Sequence, residues 1–166
     1  MLNIRPARPG DEALVCELIR ELAEYEKLSH EAEVTPADVA RALFSPAPKA
    51  FCDIAEWEGE PVGFALWFYN YSTFRGRHGI YLEDLFVRPV ARGKGAGKAL
   101  ITGLARRCVE QGLARLEWSV LDWNLPAIGF YEGLGAKVMN EWRICRLSGE
   151  ALAAAGASAE GAPAEA

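Results

Sequence analysis

The sequence predicts an α/β fold of the α+β kind, with six to seven strands, two of them paired as an antiparallel hairpin, and about four helices. Three observations carry this. Two aromatic-rich and β-rich runs, FCDIAEWE and PVGFALWFYNY, flank Gly59-Glu60 at the spacing of a tight antiparallel hairpin. Apolar residues recur at helical spacing in EALVCELIRELAEYEKL and again in GKALITGLARRCVEQ. Between the apolar run IYLEDLFV and the second of those helices lies a turn rich in glycine and basic residues, residues 91–98. A chain of 166 residues that is 51% hydrophobic and 25% charged has material for one core, so residues 1–148 are expected to form a single domain.

Taken in order, LNIRP (2–6) reads as a strand, and Asp11 stands at the N-cap position of the first helix, whose stripe is Leu14, Val15, Leu18, Ile19 and Leu22. Thr35, Pro36 and Asp38 give TPADVARALF the start of a second, short helix in capping-box style. The hairpin strands follow, then IYLEDLFV, whose Glu83 and Asp84 interrupt an otherwise apolar run. The helix after the turn is expected to end at Gly112, RLEWSV is a further strand, and Pro126 opens a short helix, PAIGFYEGL, that stops at Gly135. A last pair of strands is expected around AKVMN and WRICRL. From Gly149 to residue 166 the composition is Ala, Gly, Glu and Ser, with little to bury, which predicts a disordered or frayed tail.

A formal net charge of -5 speaks against a general nucleic-acid binder, which draws affinity from many phosphate contacts on a basic face, and suits a small cationic partner. The cysteines, Cys16, Cys52, Cys108 and Cys145, form no C-x-x-C pair and no ligand cluster with histidine, so no metal is expected. The N-terminus turns polar after four residues, and no apolar run approaches the roughly 20 residues of a membrane span. A soluble, cytoplasmic protein with reduced thiols is the expectation.

Unpaired amides and the positive dipole end of a helix N-terminus, reached through glycines, fit phosphate or pyrophosphate. The nucleotide P-loop pattern fails, because position 92 is Arg where glycine is required and position 99 is Ala where Ser or Thr is required. The dinucleotide pattern G-x-G-x-x-G fails from Gly93, where position 98 is Lys, and from Gly95, where position 100 is Leu. What fits is R-x-x-G-x-G, Arg92 to Gly97.

That hexapeptide resembles the acyl-CoA pyrophosphate signature of the GNAT superfamily of N-acetyltransferases. LIRELAEYEKLS (18–29), YLEDLFV (81–87), ARGKGAG (91–97), VLDWN (120–124) and FYEGLGA (130–136) occur in the order found in diamine (spermidine/spermine) acetyltransferases. EYEKLS and LDWN look closer to the thialysine N-acetyltransferase branch. The resemblance implies a GNAT acyltransferase fold, a central mixed, mostly antiparallel twisted sheet of six to seven strands flanked by about four helices, with acetyl-CoA as cosubstrate, a small amine as acceptor and a homodimer.

It also implies residue roles. The turn residues Arg92, Gly93, Lys94, Gly95, Ala96, Gly97 and Lys98 would hold the diphosphate, and the backbone of Leu85, Phe86 and Val87 would pair with the pantetheine amides as an added strand does. Asn124 would meet the pantetheine arm; Ala127 stands where the spermidine/spermine branch has a serine, so a hydroxyl contact is lost there. An alkylamine is almost fully protonated at neutral pH, so a base is needed, and the resemblance implies Glu83, acting directly or through water. Tyr131 would protonate the departing thiolate. Tyr25, Glu26, Glu83, Asp84, Glu117, Trp118 and Ser119 would receive a cationic substrate, a thialysine-like or lysine-like amino acid or a polyamine. The competing functions are a non-catalytic CoA-binding regulatory module and an acetyltransferase of protein or peptide amines.

Overall fold

In the computed structural model, which describes residues 1–161, the chain runs β1 (Leu2–Pro6), α1 (Glu12–Tyr25), α2 (Pro36–Leu43), β2 (Phe51–Trp57), β3 (Glu60–Ser72), β4 (Arg77–Val87), α3 (Ala96–Glu110), β5 (Leu116–Trp118), α4 (Leu125–Gly133) and α5 (Gly149–Ala157). The described residues form two units, Met1–Leu121 and a second from Asp122 onward. The first holds a sheet in the order β1-β2-β3-β4-β5, antiparallel throughout except for a parallel β4–β5 pair.

Local chemistry explains most boundaries. The α2 start is a complete capping box: Thr35 accepts from the Asp38 amide, and the Asp38 carboxylate accepts from the Thr35 amide. Asp11 does stand at the N-cap of α1, yet its side chain makes no capping bond there. It is ion-paired to Arg5 at 2.7 Å and accepts from the Arg8 amide, fastening the helix entry to β1. These bonds, Arg5 foremost, hold the Asp11 carboxyl below its ordinary range. The β2–β3 turn is Glu58-Gly59, one residue earlier than the sequence spacing indicates, with both residues left-handed as an I′-type hairpin needs.

Helices α1 and α2 pack on one sheet face, where Val15, Leu18 and Leu22 bury against Val39, Leu43, Ile54, Phe64 and Phe86. Each large side chain removed from water here is worth about 1.5–3 kcal/mol. Helix α3 covers the other face through Leu100, Ile101 and Leu104. On that side Trp67 donates to Asp53, and the Arg107 guanidinium lies 4.7 Å from the Trp67 ring centre.

Five strands, not six to seven, are present among the described residues. Neither AKVMN nor WRICRL forms a strand. Val138, Met139, Trp142, Ile144 and Leu147 are exposed, and a strand with no neighbour to pair with and no apolar face to bury is not stable by itself. Of the tail, Gly149–Ala157 is helical as α5, and residues 162–166 lie outside the described residues. No described helix is long and apolar enough to cross a membrane.

Candidate acyl-transfer site

The glycine-rich turn joins the C-terminal end of β4 to the N-terminus of α3. Gly93 (φ 79) and Gly95 (φ 83) are left-handed, a conformation costly for residues with a Cβ, and a Cβ on either would meet nothing within 4 Å. Backbone conformation and open approach, rather than packing, explain these glycines. Gly95 caps the helix, and the first helical bond runs from the Ala99 amide to the Gly95 carbonyl at 2.9 Å. The amides of Ala96, Gly97 and Lys98 fall in the first turn, where helix geometry supplies no acceptor.

The end of β4 leading into this turn is anchored. Arg88 pairs with Glu21 and Glu17 of α1 and donates to the Pro61 carbonyl, tying α1, β3 and β4 together. Between Ile80 and Leu82, β4 is paired on both sides; beyond Leu82 its β5 edge has no strand partner among the described residues. By the alternation of the ladder, Leu85 and Val87 turn their backbone groups to this open edge while those of Phe86 face β3, and the Val87 carbonyl accepts from Arg92 Nε at 3.2 Å.

Within β4 the register slips. Leu66 faces Asp84 and Trp67 faces Leu82, so Glu83 is the extra residue of a β-bulge. Strict alternation would turn Glu83 and Asp84 to opposite faces; the bulge relaxes it and leaves Glu83 exposed, while Asp84 is largely withdrawn from water. Burial first, then the Glu83 and Glu26 charges, push the Asp84 carboxyl up to about 7. Glu26, just past the end of α1, is also raised by burial. Glu26, Glu83 and Asp84 thus form one acidic group at the bulge.

The same sheet face continues past the end of α1. Tyr81 sits opposite Phe68, ring centres 5.3 Å apart, and its hydroxyl lies 2.8 Å from Ser119 Oγ. Glu117, opposite Tyr81 on β5, is ion-paired to Arg115 at 2.8 Å and accepts from Asn70 at 3.4 Å. Trp118 pairs with Leu82 and by alternation points to the α3 side, away from Glu117 and Ser119. No group of three or more His, Cys, Asp or Glu residues disposed to hold a metal ion occurs among the described residues.

An open strand edge runs into a left-handed glycine turn at a helix N-terminus, with carboxylates at a bulge beside it; backbone donors thus stand at one end and acidic side chains at the other. The profile of the Acetyltransferase (GNAT) family matches residues 15–136. The chain belongs to that family. It is 40% identical over 160 residues to the thialysine N-epsilon-acetyltransferase of Bos taurus, covering 90% of this chain and 94% of the relative. It is 35% identical to the L-ornithine N5-acetyltransferase of Arabidopsis thaliana, covering 92% and 86%. Among solved structures, an integron cassette protein of V. cholerae aligns with a TM-score of 0.78 and 26% identity over 93% of this chain and 97% of that one. The fold is the GNAT fold, and the protein is an N-acetyltransferase.

Two sequence-selected residues of this N-acetyltransferase lie in the second unit. Asn124 is buried and caps α4, accepting from the Ala127 amide at 3.4 Å. Tyr131, half-buried on α4, packs its ring 5.4 Å from that of Phe130. Within the first unit Glu26, Glu83 and Asp84 lie close enough at the bulge for their charges to act on one another, although adjacent residues of a regular strand point to opposite faces. The structure adds Tyr81, Phe68 and Asn70, which the sequence reading passed over. Their one local signal was the alternation of aromatic and polar residues in FYNY and IYLE.

Trp57 was missed as well. The Lys94 ammonium lies 5.0 Å from its ring centre, and the Arg92 guanidinium lies 4.7 Å from the ring centre of Tyr25.

Proposed function

We propose that the protein transfers the acetyl group of acetyl-CoA to a primary amine of a small cationic substrate, a thialysine-like, lysine-like or ornithine-like amino acid or a polyamine. The observation that carries this reading is the β4 edge at Leu85–Val87, which no strand covers among the described residues and which leads from the carboxylates of the bulge to the glycine turn. Main-chain amides of the turn, with Arg92, Lys94 and Lys98, hold the diphosphate; the edge pairs with pantetheine. Asn124 and the backbone at Ala127 meet the pantetheine arm from α4.

The amine arrives protonated and is drawn by Glu26, Asp84 and Glu83, with Tyr25, Glu117, Trp118 and Ser119 completing the substrate residues. Glu83, exposed at the bulge, accepts its proton directly or through one water. The neutral nitrogen then attacks the thioester carbonyl. The C–N bond forms, the C–S bond breaks, Tyr131 donates a proton to the leaving thiolate, and the nitrogen gives up its second proton to water, from which the Tyr131 hydroxyl is restored; the products are the N-acetylated amine and CoA. The reading includes a homodimer and a cytoplasmic location.

The test is a thiol-release screen with acetyl-CoA against diamines, basic amino acids and peptide amines. Release with thialysine, ornithine or a polyamine supports the reading. Release with peptide amines alone would replace the substrate class, and CoA binding without release from any amine would make the protein a binding module.

A further inference from the structure

The two cations that flank Gly93 in the turn rest on aromatic rings brought from different elements. Arg92 lies over Tyr25 at the end of α1, and Lys94 lies over Trp57 at the end of β2. Arg92 and Lys94 are themselves exposed, whereas both rings are partly buried and Tyr25 packs against the α1 core. Arg92 is further held by donating its Nε to the Val87 carbonyl at 3.2 Å.

An exposed arginine or lysine samples many rotamers, and gathering it onto a ligand costs up to roughly 2 kcal/mol of side-chain entropy. A side chain already resting on a ring has lost part of that freedom before the ligand arrives. Stacking also leaves the function of the cation intact. The ring takes up the flat face of the guanidinium, and the in-plane N–H groups stay at the edge of the stack, able to reach an anion.

We propose that Tyr25 and Trp57 are positioning residues for the coenzyme: they hold Arg92 and Lys94 in place over the turn so that both cations meet the diphosphate with little further ordering. This rests on the acetyl-CoA reading above. It gives the C-terminal end of α1 two duties, since Glu26, adjacent to Tyr25, belongs to the acidic group of the amine side. The placement of Arg92 between Tyr25 and the Val87 carbonyl further links that helix end to the β4 edge.

The test is calorimetric titration of the full chain with CoA in the absence of amine, so that substrate contacts of Tyr25 play no part. Tyr25→Leu and Trp57→Leu are each expected to weaken CoA binding about two- to five-fold, the range of an exposed cation–π contact. Tyr25→Phe and Trp57→Phe, which keep a ring, should restore most of it. Double-variant cycles separate positioning from a general structural effect: with Arg92→Ala in place, Tyr25→Leu should no longer change CoA affinity, and likewise Trp57→Leu with Lys94→Ala.

Equal effects with and without the cation, or unchanged CoA affinity in both single variants, would overturn the proposal. Tyr25→Met and Trp57→Met replace the leucine variants in the same cycles if those fold poorly. If the wild-type chain binds no CoA, it is the acetyl-CoA reading that falls. If it binds CoA but the cycles show no coupling, that reading stands and this inference alone fails.

Discussion

Asp84→Asn tests the electrostatics of the bulge. An aspartate in the unfolded chain titrates near 3.8, whereas in the fold burial and the neighbouring Glu83 and Glu26 charges move this one to about 7. The native state thus keeps a proton that the unfolded state has released. Folding stability falls as pH rises between the two values, and above about pH 7 the full cost is present. A shift of about 3 units at 1.36 kcal/mol each sets a ceiling of about 4 kcal/mol, and the partial solvent access of the residue lowers the expected effect to roughly 1–3 kcal/mol.

Asparagine keeps the shape and removes the titration. Urea unfolding should find Asp84→Asn more stable than the wild type by that amount at about pH 8, and indistinguishable from it at about pH 3, below the unfolded-state value. Glu83→Gln, which removes one of the repelling charges, should lower the wild-type loss in the same window without abolishing it. A stability difference that is the same at every pH, or a variant less stable at the alkaline end, would refute the reasoning. The functional corollary follows by linkage: a bound cationic amine favours the carboxylate, so binding near pH 6 should release protons, measurable as a dependence of binding heat on buffer ionisation enthalpy.

Glu83→Gln should lower turnover at neutral pH by about 10²- to 10⁴-fold and much less at about pH 9.5, where more of the amine is already neutral; an equal loss at both would assign Glu83 to binding. Tyr131→Phe is expected to reduce turnover by a similar factor with CoA affinity nearly intact, and unchanged rates across the pH range would remove the hydroxyl from the reaction. Gly63→Ala would bring a Cβ to 2.5 Å from the Phe86 carbonyl oxygen and 3.1 Å from Val87 Cα, so β4 must shift where the pantetheine edge lies. Urea unfolding should register a loss of about 1–3 kcal/mol, and CoA affinity should fall with it. Light scattering should return twice the 18.2 kDa chain mass if the protein is a dimer.

What was legible in the sequence was mostly local. The Thr35–Asp38 box, the hairpin near Gly59 and the strand–turn–helix around Arg92–Gly97 each carry their cause within a few residues, and each formed within a residue of its expected place. What was not legible depends on distant partners. Asp11 left its capping role for Arg5, which is on β1. The partners of Arg92 and Lys94, Tyr25 and Trp57, are far away in the chain. The strands expected at AKVMN and WRICRL have suitable composition, but strand formation needs a neighbour, and composition does not say whether one is present.

The bulge at Glu83 belongs to the same class and has the largest consequence for the site. Leu82 and Ile80 lie opposite Trp67 and Tyr69, and those rings meet Arg107 and Gln111 of the α3 end; their face is therefore the α3 side. Tyr81, opposite Phe68, then lies on the α1 side. Asp84, opposite Leu66, lies on that side too, because Leu66 and Phe68 are two apart on an unbroken β3. Residues 81 and 84 are three apart, and on a regular strand they would point to opposite faces. One inserted residue brings the aromatic and the carboxylate onto the same surface and leaves the residue itself, Glu83, at the kink between them. The acidic group and the aromatic patch beside it thus exist as one site only because the β3–β4 register fails at this position.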